Sequence, residues 1–300
     1  MGGKALITEI AHIIQEKKYS ALLKCAESVL PKKMIENVSF FKHEGRFINF
    51  SNPQTFDEIL HILKCREYLN NELVTTCTDK VLVRSYVREK GLESILNEMY
   101  FNCSSTAEIP WDNLPSSFAM KCNHGCGYNI IVRDKNELNV NLVKSKLNYW
   151  MEENYGIRSG EYHYKNIKPQ ILCEKYIGDS KGNLPIDYKF FCSRGRVICV
   201  LVIVGRGKKV ERVFVDKNFD DMNFVHEYSG QELVNMKPKC FNRMIDIAEC
   251  LSLDFPFVRV DLYDINGSVV FGELTFSPHG CYHEYLNSDI QKWIAKQITL

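Results

Sequence analysis

Two carboxylates near the end of the chain are the residues whose type and spacing most clearly suggest chemistry. Asp261 and Glu273 stand at similar distances from Asn266-Gly267, a dipeptide typical of a tight turn between antiparallel strands. Such a turn would bring the two carboxylates opposite each other on neighbouring strands. Paired carboxylates repel each other unless a cation lies between them, and Mg²⁺ prefers oxygen ligands and bridges carboxylates to phosphates. The pattern therefore predicts a Mg²⁺ site at this hairpin.

An ordinary pair of solvent-exposed acids is the competing interpretation. The flanking residues weaken it, because both strands are otherwise apolar and a charge within a buried strand needs a partner or a task. Arg259 stands two residues before Asp261 and therefore points to the same face of its strand. Its guanidinium could hold an anionic substrate or a developing negative charge there.

A second pattern, near the middle of the chain, suggests phosphate binding. Lys121 ends an apolar segment and is followed at residues 123–127 by the sequence NHGCG, after which residues 129–132 are mostly apolar. Glycines let backbone amides approach a phosphate closely, and a lysine beside such a turn can act as a mobile positive charge. The order GxxxxGK[ST] is absent here, so the pattern predicts a phosphate-covering hairpin and not a P-loop.

Apolar periodicity predicts the elements that position these residues. Helices are predicted over residues 6–17, 19–30, 55–68, 79–90, 139–155 and 238–251. Strands are predicted over residues 117–121, 129–132, 170–177, 188–192, 196–204, 210–215, 257–263 and 268–275. Thr55 and Glu58 have the spacing of a capping box at the start of their helix. This succession of helices and strands indicates an α+β protein.

Composition narrows the classes of protein and of partner. A chain of 300 residues, 45% of them hydrophobic and 25% charged, can form one large domain or two smaller lobes. The formal net charge of +1, without a cluster of Lys and Arg, gives no support for a nucleic-acid partner. Apolar runs are too short for a secretory signal or stable membrane insertion, and the 12 cysteines are scattered without paired spacing. We therefore expect a cytoplasmic protein with free thiols.

A series of short motifs runs through most of the chain in a fixed order. They are residues 52–58 (NPQTFDE), 79–80 (DK), 84–87 (RSYV), 114–115 (LP), 118–125 (FAMKCNHG), 164–169 (YKNIKP), 174–177 (EKYI), 187–191 (DYKFF), 255–263 (FPFVRVDLY) and 271–276 (FGELTF). Together they resemble the TupA-like branch of the ATP-grasp superfamily, which is associated with teichuronopeptide and other surface-polysaccharide synthesis. Chance similarity of single motifs would not reproduce their order.

The resemblance implies an ATP-grasp fold, in which two α+β lobes enclose ATP and an N-terminal helical element precedes them. Residues 1–76 would form the N-terminal helical region, and residues 77–177 the N-terminal lobe with the phosphate-covering hairpin. Residues 178–300 would form the C-terminal lobe with the Mg²⁺-binding hairpin. ATP and Mg²⁺ are the implied cofactors.

The resemblance also implies roles for particular residues. Nucleotide binding would fall to Lys80, Lys121, Asn123, His124, Gly125, Gly127, Glu174, Lys175, Tyr176 and Ile177, with residues 174–177 beside adenine and ribose. Mg²⁺ would be held by Asp261, Glu273 and Thr275, where Thr275 stands in place of the Asn that is usual in the superfamily. Contacts to phosphate or to an acyl phosphate would come from Arg259, Lys189 and Arg206.

The implied activity is that of an ATP-dependent carboxylate–amine ligase that works through an acyl phosphate. Its partners would be a small or glycan-linked carboxylate and an amine acceptor, in surface-polysaccharide or related cell-envelope synthesis. The main alternative is a glycosyltransferase of the same pathway that uses a nucleotide sugar, although residues 261–264 (DLYD) are not a convincing DxD signature. A protein that binds nucleotide without turnover is a third interpretation, and Thr275 is the residue that favours it. The substrates and the oligomeric state are left open by the sequence.

Overall fold

The computed structural model describes residues 30–179, 183–205, 210–224 and 237–300. The helices predicted over residues 6–17 and 19–30 lie outside these ranges, except for Leu30. The helices described are α1 (Lys32–Glu44), α2 (Phe56–Cys65), α3 (Glu72–Thr78), α4 (Val83–Glu89), α5 (Val140–Glu152), α6 (Tyr155–Ser159), α7 (Phe241–Ser252) and α8 (Ser288–Gln297). Within this part of the chain, every helix is too short or too polar to span a bilayer.

The strands form two antiparallel sheets. The first sheet contains β1 (Met99–Cys103), β2 (Phe118–Cys122), β3 (Asn129–Val132) and β4 (Ile171–Lys175), in the order β1-β4-β2-β3. The second contains β5 (Asp187–Ser193), β6 (Arg196–Val204), β7 (Glu211–Val215), β8 (Val258–Ile265) and β9 (Ser268–Thr275), in the order β7-β6-β5-β8-β9. The predicted α+β class is therefore confirmed.

Each sheet has a hydrophobic core of its own. Phe118 and Met120 of β2 and Ile171 of β4 pack with Leu147 of α5 to form the core of the first sheet. A larger core covers the second sheet, where α7 packs on one face and β5, β6 and β8 contribute buried apolar residues. Because strand side chains alternate between faces, Lys189 and Phe191 of β5 point away from α7. Phe191 packs there against Phe56 of α2, so this face is apolar in part, and Lys189 lies beside Asp261 of β8.

Helices α2, α3 and α4 belong to the core of the second sheet although they precede the first sheet in the chain. Phe56 and Leu60 of α2, Val74 of α3 and Val87 of α4 are all buried in that core. Helix α3 also runs through residue 76, where the predicted N-terminal region ends. The division at residues 76 and 177 thus follows chain order, whereas the packing joins these helices to the second sheet.

The start of α2 shows how a local signal fixes an element. Thr55 accepts a hydrogen bond from the backbone N–H of Glu58, and the Glu58 carboxylate accepts one from the backbone N–H of Thr55. Each side chain therefore satisfies a donor that the helix leaves without a partner. The capping box predicted from the sequence is confirmed.

The predicted secondary structure differs from the observed one at the start of one helix and in the elements that were missed. The helix predicted to begin at Asp79 begins at Val83, because Asp79 Oδ1 accepts the N–H groups of Val81 at 2.8 Å and Leu82 at 3.2 Å and so closes a turn there. Strand β1 and helices α1, α3, α6 and α8 were not predicted. Strand β1 alternates half-buried and exposed positions at the edge of its sheet, where the hydrophobic signal is weak.

Candidate active site

A cleft of about 350 Å³ is lined by residues of both sheets. The first sheet contributes Lys121 and Glu174, and the second contributes Asp261 and Glu273. Lys80, in the turn between α3 and α4, also lines the cleft. The polar groups singled out in two distant parts of the sequence therefore meet in one concave site.

The paired carboxylates face each other as the sequence predicts. Asp261 of β8 and Glu273 of β9 are directly opposed in the antiparallel ladder, on either side of an Asn266-Gly267 turn in which both residues have positive φ. A bulge follows at Asp261, and a Cβ atom on Gly272 would lie 2.9 Å from the Asp261 carbonyl oxygen. Glycine at 272 thus permits the close backbone approach that sets this pair at the cleft.

Two buried cations neutralise Asp261. Arg259 Nε donates to Asp261 Oδ1 at 2.6 Å and Arg259 Nη2 donates to Oδ2 at 2.7 Å. Lys189 Nζ, on the neighbouring strand β5 and in register with Asp261, donates to the same Oδ2. A buried carboxylate needs such partners, because an uncompensated buried charge is strongly destabilising.

Glu273 shares the same network but opens toward the cleft. Arg259 Nη2 donates to Glu273 Oε1 at 3.2 Å and to Thr275 Oγ1 at 3.0 Å, and Thr275 Oγ1 donates to Glu273 Oε1 at 3.1 Å. The Glu273 side chain is 44% exposed, whereas that of Asp261 is 3% exposed. Glu273 is therefore the member of the pair that a ligand in the cleft can reach.

The surrounding charges shift the pKa values of Glu273 and Arg259. Burial opposes the ionisation of Glu273, but Arg259, Lys189 and Lys80 outweigh it and lower its pKa to about 2. Burial also opposes the charge on Arg259, but Asp261 outweighs it and raises the Arg259 pKa above its ordinary value. At neutral pH the site therefore presents an ionised Glu273 beside a permanently charged guanidinium.

The donor set at the hairpin fits Mg²⁺. Asp261, Glu273 and Thr275 offer only oxygen atoms, two of them from carboxylates, and hard oxygen donors are the ligands this ion prefers. The described residues contain no group of three or more His, Cys, Asp and Glu side chains arranged around a metal. Glu273 opens to the cleft, whereas Asp261 would have to exchange part of its bonding to Arg259 and Lys189 for the ion. Few protein ligands are needed, because Mg²⁺ usually keeps several waters and takes other ligands from substrate phosphates.

The two predicted nucleotide-binding lysines line the same cleft, and each is held by a protein acceptor. Lys121 Nζ donates to Glu174 Oε2 at 2.6 Å, and Lys80 Nζ donates to the carbonyl oxygen of Gly125 at 2.6 Å. Burial lowers the pKa of Lys80, although Glu273 opposes this effect. Both ammonium groups are thus positioned where an anionic ligand would replace an internal acceptor.

The predicted phosphate-covering hairpin is present, but two of its side chains lie behind the cleft. Strands β2 and β3 pair on either side of residues 123–128. Asn123 is fully buried, where its Nδ2 donates to Asp79 Oδ2 at 2.9 Å and its Oδ1 accepts from the N–H of Gln170 at 2.7 Å. His124 is also buried and its Nε2 donates to the Trp150 carbonyl oxygen at 2.9 Å. These two side chains hold the base of the hairpin and do not line the cleft.

The tip of the hairpin supplies the residues that face the cleft. Cys126, Gly127 and Tyr128 line it, and Gly127 has a φ of +77°, which favours glycine. The predicted segment of residues 174–177 lines the cleft as well, from Glu174 to Ile177. Of the predicted site, Gly127 and residues 174–177 are thus at the cleft, while Gly125 contributes its backbone carbonyl to Lys80.

Other parts of the site could not be read from the sequence. Arg206 lies outside the described residues. Arg84 of α4 lines the cleft and pairs with Glu174 at 3.5 Å, and no local pattern linked these two residues. Tyr164 also lines the cleft, although the sequence only marked it as part of a motif.

Comparisons with known proteins place the chain in a family. A sequence profile described as TupA-like ATPgrasp matches residues 58–299. No protein among those with curated descriptions matches the sequence.

Solved structures similar to this chain include ligases. D-alanine–D-alanine ligase from Bacillus anthracis, complexed with ATP, is 14% identical over 74% of this chain and 65% of that chain, with a TM-score of 0.46. L-amino acid ligase from Bacillus licheniformis is 12% identical over 82% of this chain and 55% of that chain, with a TM-score of 0.46. This chain therefore spans less than two thirds of the length of either structure.

Proposed function

The chain belongs to the TupA-like ATP-grasp family, and from this premise we propose that it is an ATP-dependent ligase that joins a carboxylate to an amine through an acyl phosphate. One observation supports the proposal above all: a single cleft is lined by Lys80 and Lys121 and by Asp261 and the ionised Glu273, and Arg259 is bonded to both carboxylates from behind. Positive groups on one wall and hard oxygen donors on the other are what a nucleotide triphosphate with Mg²⁺ requires.

In this proposal the nucleotide lies along the cleft. Adenine and ribose lie beside residues 174–177, and the phosphates lie between Lys80, Lys121 and the hairpin tip at Gly127. The first sheet with α5, and the second sheet with α2, α3, α4 and α7, then act as the two lobes that enclose ATP. The backbone amides at the tip add donors to the phosphates, since glycine lets them approach closely.

Asp261, Glu273 and Thr275 are the residues that would hold Mg²⁺. When bound, Mg²⁺ supplies positive charge to the phosphate oxygens during transfer. Arg259 and Lys189 already donate to Asp261, so they orient its carboxylate. The hydroxyl of Thr275 is a neutral oxygen where the superfamily usually has an amide, and it is already bonded to both Glu273 and Arg259.

The chemistry proceeds in two steps. An oxygen of the substrate carboxylate attacks the γ-phosphorus of ATP, the bond from that phosphorus to the bridging oxygen breaks, and ADP leaves. The amine then attacks the carbonyl carbon of the acyl phosphate, phosphate leaves, and the amine loses a proton as the amide forms. The protein positions the reactants, offsets negative charge with Lys80 and Lys121, and excludes water from the mixed anhydride. Arg259 and Lys189 lie behind the carboxylates, outside the lining of the cleft, and would reach the acyl phosphate only by releasing Asp261.

We further propose that the product serves a surface polysaccharide or a related polymer of the cell envelope, since this is the association of the TupA-like family. A cytoplasmic location follows from the same proposal, because the reaction consumes ATP. The carboxylate would then be a uronic acid or an amino acid.

Hydroxylamine trapping tests the proposal. The full chain is incubated with ATP, Mg²⁺ and hydroxylamine in the presence of single uronic acids or amino acids, and both phosphate and hydroxamate are measured. We expect one class of carboxylate to give equal amounts of phosphate and hydroxamate, because hydroxylamine captures an acyl phosphate. Neither product should form without the carboxylate.

Two results would contradict the ligase. Phosphate release without hydroxamate, at the same rate with and without every carboxylate, would indicate simple hydrolysis. Transfer of sugar from a UDP-sugar to an acceptor would indicate a glycosyltransferase in its place.

A further inference from the structure

Glu174 lies between two cationic side chains, Arg84 and Lys121, that differ in exposure. Lys121 Nζ donates to Glu174 Oε2 at 2.6 Å, and Arg84 Nη1 lies 3.5 Å from Glu174 Oε1. All three side chains line the cleft, with Arg84 on helix α4 and the other two on paired strands β2 and β4. The carboxylate is thus shared by a lysine from its own sheet and an arginine from a helix.

The two cations differ in burial and in anchoring. The Arg84 side chain is 10% exposed and its Nη2 donates to the Asn97 carbonyl oxygen at 2.7 Å. The Lys121 side chain is 30% exposed, and Glu174 is its acceptor. Arg84 is therefore the fixed member of the trio, and Lys121 is the member that can move.

A phosphate in the cleft would compete with Glu174 for Lys121. A lysine ammonium is a point charge on a flexible stem, so it can leave one acceptor for another. The Glu174 side chain is only 10% exposed, and a buried carboxylate that loses its cation is strongly destabilised. Among the described residues, Arg84 is the other cation paired with Glu174.

We propose that Arg84 is a positioning residue, which holds Glu174 in place at the nucleoside end of the cleft and thereby frees Lys121 to bind phosphate. The inference rests on the proposed function, because it needs ATP in the cleft. It assigns to Arg84 of helix α4 a part in nucleotide binding, a role that the sequence motif of residues 84–87 did not specify. Without Arg84, Lys121 would be retained by Glu174 as its remaining cation.

A double-mutant cycle measures this role. Binding of the non-hydrolysable analogue AMP-PNP is titrated by calorimetry, with Mg²⁺, against the wild type, Arg84→Met, Glu174→Gln and the double variant. We expect Arg84→Met to weaken binding about tenfold in the wild-type background, because Glu174 then retains Lys121. In the Glu174→Gln background the same change should have little effect, because the neutral amide does not need a cation.

Matched controls separate positioning from a general effect on the helix. Arg88→Met makes the same substitution one turn later on α4, where Arg88 forms an exposed pair with Glu93 at 3.0 Å, and it should bind AMP-PNP as the wild type does. Arg84→Lys restores a cation near Glu174 and should recover part of the lost affinity. The melting temperature of each variant shows whether it is folded, and Arg84→Gln replaces Arg84→Met in the cycle if the methionine variant does not fold.

The results of these titrations distinguish a failure of the inference from a failure of the proposed function. Equal weakening by the Arg84 substitution in both backgrounds would show a purely structural role and overturn the inference. Wild-type affinity in Arg84→Met would overturn it too, while the proposed function would stand. If the wild type itself fails to bind AMP-PNP, both the proposed function and this inference are wrong.

Discussion

The protein contains two clusters of buried charged side chains. They are similar in composition, but they differ in their access to the cleft. The closed cluster consists of Glu36, His61, Lys64 and Tyr162. The cleft cluster consists of Arg259, Asp261, Lys189 and Glu273. Each places acidic and basic side chains in direct contact, yet the cleft cluster alone contributes residues to the lining of the cleft.

In the closed cluster the carboxylate is fully engaged by protein groups. Glu36 Oε2 lies 2.6 Å from His61 Nδ1 and 2.7 Å from Lys64 Nζ, and the Tyr162 hydroxyl donates to Oε1 at 3.2 Å. The side chains of Glu36, His61 and Lys64 are all buried. This network joins α1 and α2 to the segment around residue 162, and its role is to hold these elements together.

The comparison shows that buried charge does not by itself identify a functional site. The cleft cluster differs because one of its carboxylates, Glu273, is accessible from the cleft. Both oxygens of the other carboxylate, Asp261, already accept hydrogen bonds from Arg259. We therefore expect substitutions in the closed cluster to lower stability and substitutions in the cleft cluster to lower activity.

Lys64→Met should give the largest effect, on stability. It leaves Glu36 buried without its lysine, and breaking a buried ion pair from one side costs about 3–5 kcal/mol. The free energy of unfolding, from chemical denaturation, should fall by about this amount. Lys292→Met removes an exposed lysine and is the matched control, which should change stability little. A stable Lys64→Met protein that has lost nucleotide binding would contradict the distinction between the clusters.

Glu273→Gln should have the next largest effect, on turnover. The amide keeps the shape of the side chain but removes the charge that faces the cleft, so Mg²⁺-dependent turnover should fall about 100-fold or more. Turnover is measured as carboxylate-dependent phosphate release, and the melting temperature is measured beside it. Glu284→Gln, an exposed glutamate of the same region, is the control. A Glu273→Gln protein with wild-type turnover would remove the cleft cluster from the chemistry.

Lys121→Ala should weaken nucleotide binding by about tenfold, since a hydrogen bond to a charged group contributes about 1.5–3 kcal/mol. The measurement is calorimetric titration with AMP-PNP, and Lys146→Ala on the exposed side of α5 is the control. AMP should lose less affinity than AMP-PNP, because the lysine acts on the phosphates. Unchanged affinity in folded Lys121→Ala would contradict its assignment.

The smallest effect concerns the pH dependence of stability in the closed cluster. Burial, with a contribution from Lys64, lowers the pKa of His61 below its usual value of 6.5, despite the opposing effect of Glu36. Below that pH the unfolded chain binds a proton that the folded protein does not, so stability is lost as pH falls through and below 6.5. Between pH 7 and 5.5 the free energy of unfolding should therefore fall because of this residue.

Replacement of His61 by Gln tests this prediction, because Gln can still donate to Glu36 but does not titrate. The variant should lose less stability than the wild type over the same pH range, as measured by chemical denaturation. His43→Gln is the matched control at an exposed histidine. Identical pH profiles for the wild type and His61→Gln would show that His61 takes up a proton in the folded protein as readily as in the unfolded chain.

The features predicted correctly from the sequence depend on contacts that are close along the chain. Asp261 and Glu273 were paired correctly because the intervening turn fixes the register of their hairpin. The capping box of Thr55 and Glu58, three residues apart, was confirmed for the same reason. Strands β6 and β9 were predicted with their observed bounds, since continuous or alternating apolar runs end there at charged or turn residues.

The features that were missed depend on contacts between distant parts of the chain. Lys189 reaches Asp261 because β5 lies next to β8 in the second sheet, and their separation of 72 residues gives no local signal. Asn123 and His124 were predicted at the phosphates because they stand in a glycine turn, but the fold buries both against other segments. Sequence pattern thus located the loop, and only tertiary packing decided which of its side chains face the cleft.

Calorimetric titration of the wild-type chain with AMP-PNP, with and without Mg²⁺ and with UDP-glucose as a competitor, tests the central claim most directly. We predict that AMP-PNP binds more tightly with Mg²⁺, that UDP-glucose does not displace it, and that Glu273→Gln loses the Mg²⁺ dependence. Displacement by UDP-glucose, or no binding of AMP-PNP under any condition, would contradict an ATP-dependent ligase.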